Sequence, residues 1–159
     1  MKYFWTFFAA LLLCAPVARA QDVRISNLAG FNFGVWNSAT ALNQQLSTTT
    51  VCAWKQNIGN NRYWINLDDG TVNGTFQLSN GLGNTVNFTV EWQRNGVGSW
   101  TAMTEGVETR FQKANQNAAN DCTVGATSAK YRVSIPAANL AGKPPGIYTT
   151  QMNVFMRPD

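Results

Sequence analysis

Apolar residues return at every second position in short runs along this chain, and glycine, asparagine or proline closes most of the runs. A period of two is the pattern of a strand with one face buried. Val86, Phe88, Val90 and Trp92 share one face, opposite Asn87, Thr89 and Glu91. Tyr131, Val133 and Ile135 repeat the pattern up to Pro136, and Tyr148, Thr150, Met152, Val154 and Met156 carry it nearly to the last residue. Tyr63, Ile65 and Leu67 form a run that stops at Asp68-Asp69-Gly70, and Phe76 with Leu78 one that stops at Asn80-Gly81. Phe31, Phe33 and Val35 predict an early strand, Val51 and Ala53 a strand carrying Cys52, and Trp100 with Met103 a weaker one. Asp69-Gly70, Asn80-Gly81 and Asn95-Gly96 suit hairpin turns, because Asn and Gly tolerate the positive φ those turns need. No stretch keeps a helical period. Ala137 to Ala141 allows one helical turn, and residues 104–121 read as a long loop or short helix before Cys122. About eight short strands without helices predict an antiparallel β-sandwich.

The first twenty residues are of another kind. Lys2 precedes an apolar run from Phe4 to Ala15 interrupted only by Thr6, and Ala18-Arg19-Ala20 fits the small-x-small rule for cleavage between Ala20 and Gln21. The run falls short of the roughly 20 apolar residues a membrane span requires. Residues 1–20 are therefore expected to be a cleaved signal peptide of the Sec pathway, leaving no membrane span. Leu13 stands before Cys14 where a lipidation site would want a small residue, so no lipid anchor is expected.

What remains, residues 21–159, suits one domain with a real core. Lys2 and Arg19 leave with the leader, so 10 basic residues face 8 acidic ones, a net charge of +2. The basic residues are scattered, whereas nucleic-acid binding requires them clustered; no nucleic-acid partner is expected. Cys52 and Cys122 are the remaining cysteines, and an exported pair is expected to be joined. Closing a loop of about 70 residues would contribute roughly 4 kcal/mol by the chain-entropy argument.

The sequence contains no histidine, so Ser-His-Asp and Cys-His arrangements and His-ligated metals are excluded. A glycosidase-type pair among Asp68, Asp69, Glu91, Glu105, Glu108 and Asp121 is formally open, but only Asp68 and Asp69 adjoin, where a turn explains them. Calcium would want six or more oxygens, and no further acid lies near that pair in sequence. Gly81-Leu82-Gly83 lacks the strand-then-helix context of a phosphate loop. No cofactor or metal is expected, and no catalytic residue. Asn73-Gly74-Thr75 and Asn87-Phe88-Thr89 match a glycosylation pattern that is common by chance. Among the tryptophans, Trp92 lies on an apolar strand face and is expected in the core. Trp64 points opposite Tyr63, Ile65 and Leu67 and is the best candidate for an exposed aromatic, as a sugar-binding face would need.

Taken in order, the Phe31-Asn32-Phe33-Gly34 start, the Val51-Cys52 strand, Phe76-Gln77-Leu78-Ser79-Asn80-Gly81, the Val86–Trp92 strand, Cys122 and the Gly146-Ile147-Tyr148 strand with Pro158 after it span nearly all of residues 21–159. This ordered set resembles the spore coat protein U family and the related archaic chaperone–usher (Csu-type) pilins. The resemblance implies an immunoglobulin-like, pilin-type antiparallel β-sandwich that lacks its final strand. It also implies a hydrophobic groove along a sheet edge, with Tyr148, Met152, Val154 and Met156 on the acceptor strand. A periplasmic pilus chaperone would fill the groove first and a neighbouring pilus subunit later, with an outer-membrane usher as the further partner, so the protein would pass through the periplasm to the cell surface or fimbrium. Strand addition of this kind protects an apolar edge that would otherwise aggregate. Val23, Ile25 and Leu28 precede Phe31 without strict alternation, a segment expected to be too short to act as both first strand and donor. The reading from sequence is thus a non-enzymatic fibre subunit or minor tip component. The alternative is a free-standing secreted sandwich that binds a ligand such as a glycan, and a carboxylate-dependent hydrolase comes third.

Overall fold

The computed structural model describes residues 22–26, 28–36, 45–56, 59–71, 74–94, 98–111, 114, 122 and 128–159, with 45–48 by backbone alone. The leader, its Ala20–Gln21 junction, Asn73, Asn95-Gly96 and most of 112–121 lie outside these residues. The described chain is almost wholly β. Its strands are β1 (Val23–Ser26), β2 (Gln45–Lys55), β3 (Tyr63–Asp68), β4 (Gln77–Ser79) and β5 (Thr85–Asn87), then β6 (Thr89–Arg94), β7 (Thr101–Ala102), β8 (Thr109–Phe111), β9 (Ala129–Ile135) and β10 (Asn153–Pro158). One helical turn, α1 (Ala137–Leu140), follows Pro136. Every strand pair is antiparallel. A five-stranded sheet runs β1-β2-β9-β6-β7, a three-stranded sheet β10-β3-β8, and β4-β5 form a separate hairpin. This is the antiparallel, immunoglobulin-like sandwich expected from the period-two runs.

The two larger sheets face each other through their alternating apolar residues. Val51, Ala53, Val90, Trp92, Tyr131 and Val133 come from one sheet and Tyr63, Ile65, Leu67 and Phe111 from the other, all buried in one cluster. Trp92 crosses the gap: it lies against Phe111 with ring centroids 6.1 Å apart, and its Nε1 donates to the Tyr63 hydroxyl at 3.2 Å. No buried side-chain polar atom among the described residues lacks a partner, so the interior carries little unpaired polarity of the kind that costs about 1–3 kcal/mol per group.

Several runs fold differently from the strand expectation. Val86 to Trp92 is two strands. The chain breaks at Phe88, leaving β5 paired to β4 while β6 joins β9. The alternation survives because both sheets share one core, and Val86, Phe88, Val90 and Trp92 are all buried. Phe31, Phe33 and Val35 form no strand; only Trp36 makes a bridge, to Gly146. The C-terminal strand starts at Asn153, so Tyr148 and Met152 precede it; residues 146 and 149 are instead pinned singly to Trp36 and Ser79. Asp69-Gly70 is not a hairpin, since β3 pairs with β8 and β10. The Asp68 and Asp69 carboxylates accept from the Gly70 and Thr71 amides at 2.7 and 3.0 Å and turn the chain out of the sheet. Asn80-Gly81 does sit in a hairpin loop, but a five-residue one, where the Asn80 Oδ1 accepts from the amides of Leu82 and Asn84. Strand β8 falls in the segment expected to be loop or helix.

Cys52 and Cys122 are joined, their Cα atoms 5.6 Å apart. Cys122 holds a φ of 69°, a left-handed conformation costly for a residue with a Cβ, and its carbonyl accepts from the Ser26 hydroxyl at 3.1 Å. The bridge thus ties the loop before β9 to the edge where β1 meets β2.

The last residue pins β10. The Asp159 carboxylate accepts from Trp64 Nε1 at 3.0 Å, from Asn60 Nδ2 at 3.4 Å and from Arg110, and its amide donates to the Arg62 carbonyl at 3.3 Å. Beneath it Lys55 is fully buried, its Nζ donating to the Asn60 carbonyl at 2.7 Å and facing the main-chain oxygen of Asp159 at 3.5 Å. Desolvation pulls the Lys55 pKa down, and the Asp159 charge opposes the shift.

Candidate functional site

Strand β10 is paired along one edge. It pairs with β3 from Asn153↔Asp68 to Pro158↔Tyr63, and among the described residues no strand lies on its other edge. Strand β1, paired to β2 in the other sheet, lies close to β10. The seam between the sheets opens beyond them, beside residues 146–154.

A cavity of about 710 Å³ fills the opening. Tyr131, Val133 and Ile135 of β9 form its floor with Val86 and Phe88. One wall is residues 28–36; the other is residues 146–150 with Met152 and Val154. The bridge Trp36↔Gly146 joins the walls at one end, with hydrogen bonds of 3.1 and 2.9 Å. None of the lining residues carries a charge. Leu28, Val35 and Ile147 are apolar, line the opening and are exposed. Large exposed apolar residues gathered on one opening mark an interaction site more often than isolated ones do.

Of the four residues assigned to an acceptor strand, Tyr148, Met152 and Val154 line this cavity, and Met156 packs on the core one register step beyond it. The Tyr148 hydroxyl donates to the Pro144 carbonyl at 2.9 Å, leaving its ring on the wall. The aromatic segment 31–36, read as a plain strand, is the wall that sequence reasoning missed. Its Gly30 and Gly34, spaced around Phe-Asn-Phe, were the available signal. Tyr131 holds that wall: its hydroxyl donates to the Ala29 carbonyl, and Phe31 meets its ring edge-on at 5.0 Å. Burial raises the Tyr131 pKa.

The other candidates do not assemble into a second site. Trp64 is half-buried rather than free, with Arg157 and Arg110 stacked on it at 4.7 and 5.8 Å and Asp159 on its indole nitrogen. Trp92 is core, as its strand face required. The fold brings Glu105 to Asp68 and Asp69, their oxygens within 4.8 Å of one another, a meeting that sequence distance concealed. These carboxylates face backbone amides: Asp69 accepts from Gln77 at 2.6 Å and Glu105 from Gly74 at 3.2 Å. Desolvation first, then the Asp69 charge, raises the Glu105 pKa. The three tie together the turns around residues 70–77 and 104–107.

No family model matches the chain, and no curated protein matches it. Among solved structures it is similar to one from a chaperone–tip adhesin complex vital for synergistic activation of CFA/I fimbriae biogenesis. The TM-score is 0.63 at 12% sequence identity, over 87% of this chain and 42% of that one. The chain thus spans less than half the length of the solved chain it matches. At that identity the likeness is one of fold. No helix of the described residues is long and apolar enough to cross a membrane.

Proposed function

We propose that this protein is a structural subunit or tip component of a chaperone–usher surface fibre, and that its groove accepts a β-strand from a partner. The observation that carries the reading is an uncharged, largely apolar cavity between residues 28–36 and 146–154, leading to strand β10, which among the described residues has no strand on its outer edge. A strand laid there would pair its backbone with β10 and send alternate side chains to the Tyr131–Ile135 floor. A small molecule would leave the backbone edge unmet. The partners that fit are a periplasmic chaperone, then a neighbouring subunit, with an usher at the outer membrane. The signal peptide expected from residues 1–20 and the Cys52–Cys122 bridge agree with passage through an oxidising periplasm to the cell surface. A structural rather than catalytic role fits a chain without histidine whose clustered carboxylates face backbone amides. The Arg157 and Arg110 stacking on Trp64 weighs against a sugar-binding face there.

The test uses a synthetic peptide of alternating valine and threonine with lysines at its ends. A fully extended strand matched to the nine residues 146–154 would span about 30 Å at roughly 3.3 Å per residue, so the peptide needs about ten residues. Thermal melting of residues 21–159 should move upward with peptide concentration, as binding to the folded state requires. A monomer that melts cooperatively at high temperature and ignores both the peptide and a co-expressed periplasmic chaperone would overturn the reading.

A further inference from the structure

Residues 28–36 belong to neither sheet, and Trp36 alone among them makes a bridge, an isolated one to Gly146. They nevertheless behave like a strand in one respect: Phe31 and Phe33 pack on the core while Asn32 between them is exposed. The segment is held at discrete points. Tyr131 reaches Ala29, and Phe31 lies on Tyr131. At the far end Trp36 exchanges two backbone hydrogen bonds with Gly146, and its indole Nε1 donates to the Lys143 carbonyl at 3.2 Å. Gly34 takes a φ of +78°, and its amide donates to Asn32 Oδ1 at 2.8 Å. A Cβ at Gly34 would meet nothing within 4 Å, so the position requires glycine for its backbone conformation and not for space. Val35 and Leu28, near the two ends, leave their side chains in solvent.

The bridge sets a limit on the groove. Bridged backbones lie about 4.8 Å apart, and a strand placed between two others needs roughly twice that. A strand pairing along the whole of residues 146–154 must therefore break the Trp36–Gly146 bonds. Residue 149 is bonded to Ser79 on the opposite edge, so the 146–150 segment is held from behind and the Trp36 side has to give.

We infer that residues 28–36 are a displaceable strap, latched by Trp36 to the turn at 143–146, that keeps the empty groove closed at one end until an inserted strand releases it. The inference rests on the strand-accepting function proposed above. When the competent form is a minority, apparent affinity falls by the competent fraction, and removing the latch restores it.

The experiment compares residues 21–159 with Trp36→Ala, using the same valine–threonine peptide and amide hydrogen exchange. Trp36→Ala should bind the peptide faster and about ten-fold more tightly than the parent. In the parent, peptide binding should remove protection from the Trp36 and Gly146 amides while β10 gains it. Equal or weaker binding by Trp36→Ala, or amides that stay protected in the parent complex, would overturn the strap. Should Trp36→Ala fail to fold, Trp36→Phe keeps the ring and removes only the indole bond to Lys143; a gain of a few-fold supports the strap and no gain overturns it. If the parent binds no peptide, the strand-accepting function fails, and the strap is judged on the free protein. There the Trp36 and Gly146 amides should exchange together and well before the β3–β10 ladder, and exchange in step with that ladder would overturn it.

Discussion

The indole of Trp64 donates to the carboxylate of Asp159 at 3.0 Å, joining the middle sheet strand β3 to the residue that closes β10. Arg110 from β8 holds the same carboxylate, and Arg157 stacks on the same indole while pairing with Glu108 at 2.7 Å. One end of β10 is thereby fixed across all three strands of its sheet, while the other end borders the open groove. The arrangement holds β10 in register with β3, with no strand on its outer side among the described residues.

Asp159 should make stability fall in acid. The bond from Arg110, chiefly, holds its carboxyl below the usual carboxylate range, with Trp64 and the Arg110 charge adding to the effect. A depressed folded-state pKa contributes stability that is present above the unfolded value and is lost as pH falls through the folded one. Melting curves of the parent should therefore move down below about pH 4. Asp159→Asn should start lower at neutral pH and lose less on acidification. Parallel pH profiles for the two proteins would show that Asp159 does not carry the acid sensitivity.

Tyr63 makes the opposite prediction at high pH. Burial, chiefly, raises its pKa to about 12, with the bond from Trp92 and the charge of Arg94 opposing. For an acid with a raised folded pKa, stability is complete below the unfolded value and is lost as pH rises toward the folded one. Ultraviolet titration of the phenols should show late ionisation near the alkaline unfolding transition, with Tyr63 and Tyr131 both contributing. Tyr63→Phe should shrink that late step and cost about 1–3 kcal/mol, because it leaves the buried Trp92 Nε1 without an acceptor.

The Glu105 cluster should respond to neutralisation, not to metal. Desolvation and the neighbouring Asp69 raise the Glu105 pKa, so its contribution is favourable below the unfolded value and is lost as pH rises through the folded one. Glu105→Gln should raise the melting temperature at neutral pH and leave it nearly unchanged at pH 4. Asp69→Asn should lower it, since Asp69 accepts from Thr71 and Gln77 and an amide offers a single acceptor oxygen. Calcium at millimolar concentration should not shift either melt; a calcium-dependent rise would assign the cluster to an ion.

The sandwich could be read from the sequence because alternation reports burial directly: Tyr63–Asp68 and Ala129–Ile135 are strands with one face in the core. Alternation does not report which backbone lies alongside. Phe31 and Phe33 alternate like a strand and bury like one, yet have no ladder, and Val86 to Trp92 alternates straight through a change of sheet. Strand β8 has three residues with only Phe111 buried, too few to make a period. The outward direction of Trp64 was correct, but its cover comes from Asp159, Arg110 and Arg157, all more than 40 residues away. The groove walls likewise join residues 28–36 to 146–154, a contact set by tertiary packing and invisible to any local pattern.

Ile147 separates a strand-accepting groove from ordinary apolar surface. It lines the cavity yet is 64% exposed, so its side chain contributes little to the core. Its backbone sits between the Gly146 and Thr149 bridges, which hold it in place whatever side chain it carries. Ile147→Lys should therefore change stability by no more than about 0.5 kcal/mol, the usual range for a surface site. Two other properties should change, in opposite senses. The isolated protein should stay monomeric to higher concentration, because an exposed apolar edge is what drives unwanted strand pairing. Affinity for the valine–threonine peptide should fall by about ten-fold or more, because an inserted strand would cover the ammonium and strip its water. Sedimentation and peptide titration on the same preparation measure both. Improved solubility with unchanged peptide affinity would show that Ile147 lies outside the path of the strand. Reduced affinity with a lowered melting temperature would show that it supports the fold instead.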